Sequence, residues 1–156
     1  MKELAALCER LDFKDVRTYI QSGNVTFTSG LSEGAIRSRL EKSLVVKMGK
    51  KIDVMVRTPM ELRFVLSHNP FPNKEPAKVA VAFLCEPPPK DLLENVFAPG
   101  GEQVKTGKRE IYIYYPDGMG RSKLKLPPIG LAMTIRNINT IAKLVDLTDN
   151  RHSDLT

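Results

Sequence analysis

Two glycines, a hydroxyl and two cations fall within six residues at Gly118-Met119-Gly120-Arg121-Ser122-Lys123. At a helix start this composition suits a phosphate held through backbone amides and side-chain charge. The spacing is not that of a P-loop, which needs Gly-x4-Gly-Lys-Ser/Thr, and Tyr-Pro-Asp-Gly just ahead of it also reads as an ordinary turn. A second cluster, Thr134, Arg136, Asn137, Asn139 and Thr140, lies where a strand runs into a helix N-terminus, a place where orphan N–H groups and a nearby Arg favour an anion. Asn137 is explained as an N-cap, whereas Asn139 and Thr140 are poor helix formers without such a role. That makes this cluster the strongest of the three. The third is Gln21, Ser22, Gly23 and Asn24 at a hairpin turn, with Arg17 and Tyr19 on the same sheet face, which together offer amides, charge and a stacking surface. Turn geometry alone accounts for Gly23 and Asn24.

Other chemistry finds less support. His68 precedes Asn69-Pro70 and His152 is near the C-terminus, so no Ser/His/Asp or Cys/His arrangement and no metal-ligand spacing stands out. No cofactor is implied. An enzyme acting on a phosphorylated or nucleotide substrate lacks an evident general base, although Asp117 could serve. Tyr112, Tyr114 and Tyr115 could stack bases, but without an RNP signature their plainer role is packing.

The elements that position these residues follow from periodicity. Leu4, Leu7, Cys8 and Leu11 predict a helix ending near Phe13. A hairpin follows; a two-residue turn at Ser22-Gly23 would pair Gln21 with Asn24, Ile20 with Val25 and Thr18 with Phe27. Val16, Ile20, Val25 and Phe27 then face the core, and Arg17, Tyr19, Gln21, Asn24 and Thr26 face away. A helix over 32–47 capped by Ser32, a strand at Ile52, Val54 and Val56, and a helix from Thr58-Pro59-Met60-Glu61 to about Ser67 complete the first half.

Asn69-Pro-Phe-Pro-Asn-Lys-Glu-Pro76 holds three prolines in eight residues and separates the halves. Beyond it, Lys78–Cys85 reads as a central strand apolar on both faces. Pro87–Pro89 opens a helix to about Phe97, residues 103–106 and 109–115 form a hairpin, and 122–126 is at most a short helix. Leu131–Ile135 is a strand, Asn137–Leu147 an amphipathic helix with Ile138, Ile141, Leu144 and Val145 inward, and 149–156 a frayed tail.

The second half therefore repeats the first. The phrases Met55-Val-Arg-Thr-Pro59 and Thr134-Ile-Arg-Asn-Ile138 occupy the same place in each. The expectation is an α+β fold of two ferredoxin-like (β-α-β-β-α-β plus helix) subdomains, over 1–74 and 75–148. Nothing before Met1 matches the strand Lys78–Cys85. The first sheet is thus expected to carry a gap, either because the chain is a truncated form or because another segment or a second copy fills it.

Lys and Arg number 24 against 18 Asp and Glu, and the net charge of +6 favours anionic partners, though no block of five cations occurs. Cys8 and Cys85 sit in apolar stretches rather than paired spacings, as free thiols in a reducing cytoplasm would. No apolar run is long enough to span a bilayer, so a membrane is not an expected partner.

At Tyr19-Ile-Gln-Ser-Gly-Asn-Val-Thr-Phe27, Asn69-Pro-Phe71, Tyr115-Pro-Asp-Gly-Met-Gly-Arg-Ser-Lys-Leu124 and Thr134-Ile-Arg-Asn-Ile-Asn-Thr140, the chain resembles the uncharacterised bacterial family DUF1697. The resemblance covers nearly the whole chain and implies a two-part α+β fold with a ferredoxin-like subdomain, and no established reaction. It also implies an opening strand with a stretch like Arg-Gly-Ile-Asn-Val-Gly, which this sequence lacks, and Ile138 stands where many relatives have Trp. The functional expectation is a phosphate-containing small ligand bound by loops at Ser22, Gly118–Lys123 and Arg136–Thr140. Its alternatives are nucleic acid on the Arg17 and Tyr19 face and the enzyme reading above.

Overall fold

The computed structural model describes residues 2–19, 24–126 and 132–154, and side chains within 5–17, 24–126 and 132–148. Its elements run α1 (Lys2–Arg10), β1 (Lys14–Tyr19), β2 (Asn24–Thr28), α2 (Glu33–Met48), α3 (Pro59–Ser67), β3 (Val79–Leu84), β4 (Gln103–Thr106), β5 (Glu110–Tyr114), β6 (Met133–Asn137) and α4 (Ile138–Asp154). The fold is mixed α+β with two antiparallel sheets. Two compact units result, one of Met1–Pro59 with Lys143–Thr156 and the other of Met60–Ala142. This division differs from the repeat boundary near residue 74, since it places α3 in the second unit and cuts α4.

In the second unit the strands lie in the order β4-β5-β3-β6. β3 is interior, and every one of its residues is buried. That matches its apolar run, because a strand covered on both faces cannot alternate with polar residues. Ala80, Ala82 and Leu84 pack with Ile111, Ile113, Leu92 and Tyr115, and half-buried Met133 and Ile135 join them. Register places Val79, Val81 and Phe83 on the opposite face with Tyr112, whose hydroxyl donates to the Val65 carbonyl of α3 at 2.9 Å. Tyr112 is thus a packing residue with its polar end satisfied.

In the first unit β1 and β2 pair as Thr18 with Val25 and Tyr19 with Asn24. The register is shifted by two residues from that of a two-residue turn, so the loop is longer than expected. A shift of two preserves the faces, because side chains alternate with period two: Val16, Val25 and Phe27 pack toward Cys8, Phe13, Ile36 and Leu40. A bulge between Lys14 and Arg17 absorbs Asp15, whose φ is 51°. Phe13 stacks on Phe27 with ring centroids 4.2 Å apart. Helix α2 is closed at both ends, by Ser32 accepting the Ala35 N–H at 3.3 Å and by Gly49 at φ 72° donating to the Val45 carbonyl.

Several expected elements take another form. Residues 52–56 form no ladder among the described residues, although Val54 and Val56 do pack on the core of this unit. The Val54 N–H donates instead to the Glu41 carboxylate at 3.2 Å. Pro87–Pro89 opens no α-helix, only a 3-10 turn at Leu92–Asn95, since three successive prolines supply no N–H. Residues 122–126 contain no helix; the 3-10 turn lies earlier, at Met119–Arg121, and Lys125 bridges to Phe97. β6 runs two residues further than expected. α4 continues to Asp154 rather than ending at Leu147, as no Gly or Pro interrupts 138–154.

Candidate functional site

The loop 118–123 borders a cavity of about 180 Å³ in the second unit. It is lined by Pro99, Gly100 and Glu102 ahead of β4 and by the segment that follows β5, including Tyr115, Asp117, Gly118, Arg121, Ser122 and Lys123. Tyr115–Gly118 is the expected turn, closed by the Gly118 N–H donating to the Tyr115 carbonyl at 3.0 Å. Gly118 takes φ 84°, a conformation that leaves glycine favoured there.

Glu102 organises this site. It is buried, and its carboxylate accepts from the Gly100 N–H at 2.8 Å and from the Ser122 hydroxyl at 2.9 Å. Its own backbone N–H, the Ser122 hydroxyl and the Gly100 and Lys123 N–H groups hold its carboxyl below the usual range, against the opposing effect of burial. Ser122 in turn accepts from the Leu124 N–H at 3.1 Å. Donors that the sequence assigns to a phosphate, the Ser122 hydroxyl and the Lys123 amide, are therefore already engaged by an internal carboxylate. What the loop offers a ligand is the exposed side chains of Arg121 and Lys123. A Cβ on Gly100 would lie 2.9 Å from the carboxylate, so a larger residue there would shift the end of the Glu102 side chain. Tyr115 is buried against the same cavity, and burial and then the Glu102 charge push its phenol up, keeping it neutral. Glu102 is missed by a reading of chemistry-bearing motifs; the signal was Gly100-Gly101 immediately before an acid at a strand start.

The Arg136–Thr140 cluster stands at the same end of the sheet. Val79 pairs with Tyr114 on one side and Ala80 with Asn137 on the other, so the segment leaving β5 and the start of α4 emerge together. They do not share the cavity lining. Asn137 acts as the cap: its Oδ1 accepts the Asn139 N–H at 2.8 Å and its Nδ2 donates to the Ala77 carbonyl at 2.9 Å. Arg136 is half-buried, donates to the Ile135 carbonyl at 2.9 Å, and has its pKa lowered by burial. Asn139 is exposed and Thr140 half-buried.

Of the hairpin cluster, Gln21 and Ser22 lie outside the described residues, as does the Tyr19 side chain. Arg17 pairs with Asp15 at 3.6 Å, and Asn24 is buried with polar partners of its own. This cluster belongs to the first unit. Cys8 and Cys85 are free thiols. Burial, and secondarily Glu9, push the Cys8 thiol up to about 11, which makes it unreactive. Among the described residues no group of acidic, His and Cys side chains is placed to hold a metal ion, and no helix is long and apolar enough to cross a membrane.

The family described as "Protein of unknown function (DUF1697)" matches residues 1–112, and the chain belongs to it. No curated protein matches the sequence. Among solved structures, the conserved bacterial protein SP0830 from Streptococcus pneumoniae is similar, at 21% identity and a TM-score of 0.70, over 94% of this chain and 87% of that one. At that identity the likeness concerns the fold alone.

Proposed function

We propose that this member of the DUF1697 family binds a small phosphate-containing ligand at the cavity of the second unit, through the Arg121 and Lys123 side chains. The observation that carries the reading is the cavity of about 180 Å³ bordered by both cations. Tyr115, Pro99 and Pro116 in the lining supply apolar surface for the rest of such a ligand. The Arg136–Asn139 cluster at the same sheet end is a second contact for a ligand that extends out of the cavity. The free thiols suit a cytoplasmic setting.

The accompanying fold reading is a duplicated ferredoxin-like pattern. It is supported by the order β4-β5-β3-β6 and by one detail recurring in both halves. Arg57 donates to the Val56 carbonyl at 3.0 Å, and Arg136 to the Ile135 carbonyl at 2.9 Å.

Calorimetric titration with inorganic phosphate and with a nucleoside monophosphate, at low and high salt, tests the binding reading. Removing both cations (Arg121→Ala with Lys123→Ala) is expected to weaken binding at least about tenfold, the effect of losing charge-assisted hydrogen bonds. Binding that survives the double variant, or no binding of either probe, overturns it. Affinity for oligonucleotides alone, lost in salt, would move the reading to nucleic acid on the Arg17 face.

A further inference from the structure

The cavity of about 180 Å³ in the second unit is bordered by acids as well as bases, since Glu102 and Asp117 line it along with Arg121 and Lys123. A simple anion there meets two charges that attract it and two that repel it, so the four together favour a ligand that carries both signs. The two acids differ in what they have left to offer. Glu102 already accepts from Gly100 and Ser122. Asp117 is exposed, and among the described residues its carboxylate has no ion pair or hydrogen bond. The same holds for the charged groups of Arg121 and Lys123.

A second observation points to a ligand independently. Tyr115 lines the cavity and is only 6% exposed, yet its hydroxyl has no hydrogen-bond partner among the described residues. Tyr112 shows the usual arrangement, with its hydroxyl donating to the Val65 carbonyl. A buried hydroxyl without a partner costs free energy that a bound group recovers. Burial, and then the Glu102 charge, keep the Tyr115 phenol neutral, so its oxygen accepts a hydrogen bond like any hydroxyl.

We infer that the cavity takes a small phosphorylated amine, with its phosphate on Arg121 and Lys123 and its ammonium between the Asp117 carboxylate and the Tyr115 hydroxyl oxygen. This rests on the phosphate site proposed above and names the remainder of that ligand. An ammonium group has only donors, which is what a free carboxylate and a neutral phenol oxygen require. The volume has room for about six waters, which suits a short carbon chain between the two charges. The same chemistry occurs in soluble phosphorylated amines and in an ethanolamine lipid headgroup.

Calorimetric titration of the whole chain compares O-phosphoethanolamine with ethyl phosphate, which keeps the phosphate and the carbon chain and lacks the amine. O-phosphoethanolamine is expected to bind at least about tenfold more tightly, the effect of a charge-assisted contact. Asp117→Asn should bring the two probes to within about twofold of each other, while ethyl phosphate binds as tightly or better for the loss of a repelling charge. Tyr115→Phe should weaken O-phosphoethanolamine several-fold and leave the urea midpoint unchanged or higher, because the hydroxyl it removes has no partner in the free protein. Equal binding of both probes, with loss of both in Arg121→Ala with Lys123→Ala, overturns the ammonium site and leaves the phosphate site standing. No binding of either overturns both. A preference that Asp117→Asn leaves intact, or a lower urea midpoint in Tyr115→Phe, overturns the assignment to those groups. Retention on phosphatidylethanolamine vesicles that O-phosphoethanolamine displaces upholds the site with a headgroup as the source, and binding of the free probe without retention upholds it with a soluble one.

Discussion

Residues 52–56 and strand β6 carry similar phrases, and the difference between them separates local from tertiary causes. Each carries an arginine at or just past its C-terminal end, Arg57 and Arg136, whose guanidinium folds back on the preceding carbonyl, at 3.0 and 2.9 Å, and each leads the chain into a helix. Among the described residues, only β6 has a neighbouring strand. Its residues pair with β3 from Met133 through Asn137, whereas the backbone of 52–56 has the Glu41 carboxylate as a partner at Val54. Alternating β-branched residues are enough for an extended conformation; a strand also needs a second chain segment at hydrogen-bonding distance.

The sharpest way to break the comparison is to empty the two cores. Leu84→Ala, at a fully buried side chain in β3, should cost about 3 kcal/mol, as other buried Leu to Ala changes do, measured by urea unfolding. Val54→Ala, at a half-buried site, should cost about 1 kcal/mol or less. Equal losses would mean that the first unit is packed as tightly as the second.

A smaller effect concerns alkaline pH. Burial, then the Glu110 charge, push the Tyr112 phenol up to about 12, against about 10 in an unfolded chain. The folded state holds this proton more tightly, so the contribution is complete below pH 10 and lost as pH rises to 12. The size is about 2 kcal/mol. Tyr112→Phe should flatten the stability profile over that window. It should also lower stability by about 1 kcal/mol at neutral pH, through the carbonyl of Val65 that it leaves unpaired. A profile unchanged by the substitution would remove Tyr112 as the cause.

The smallest difference is expected where the halves are alike. Arg57→Ala and Arg136→Ala should each cost about 1 to 2 kcal/mol, because each removes a charged donor from a carbonyl in a half-buried setting. Values differing by more than about 1 kcal/mol would show that the recurring contact does not do the same work in both halves.

Sequence reading was most accurate where a residue's role is local. Ser32 caps α2, Pro59 opens α3, Asn137 caps α4, and Ala80 and Val81 are buried on opposite faces of one strand. It erred by two residues in the first hairpin, where Thr18 pairs with Val25 and Tyr19 with Asn24, because a Ser-Gly pair fits the centre of a tight turn while long-range pairing sets the register. It also missed Glu102, a carboxylate twenty residues away in sequence that accepts from the Ser122 hydroxyl.

By itself, then, the sequence determined the caps, the apolar periods and the apolar faces of β2 and β3. These depend on neighbours three or four residues away along a helix or two along a strand. Tertiary structure alone decided the strand order β4-β5-β3-β6, the closure of the loop 118–123 around Glu102, and which extended segments became strands. Each of those depends on groups far apart in the chain meeting at hydrogen-bonding distance, and no local pattern encodes that meeting.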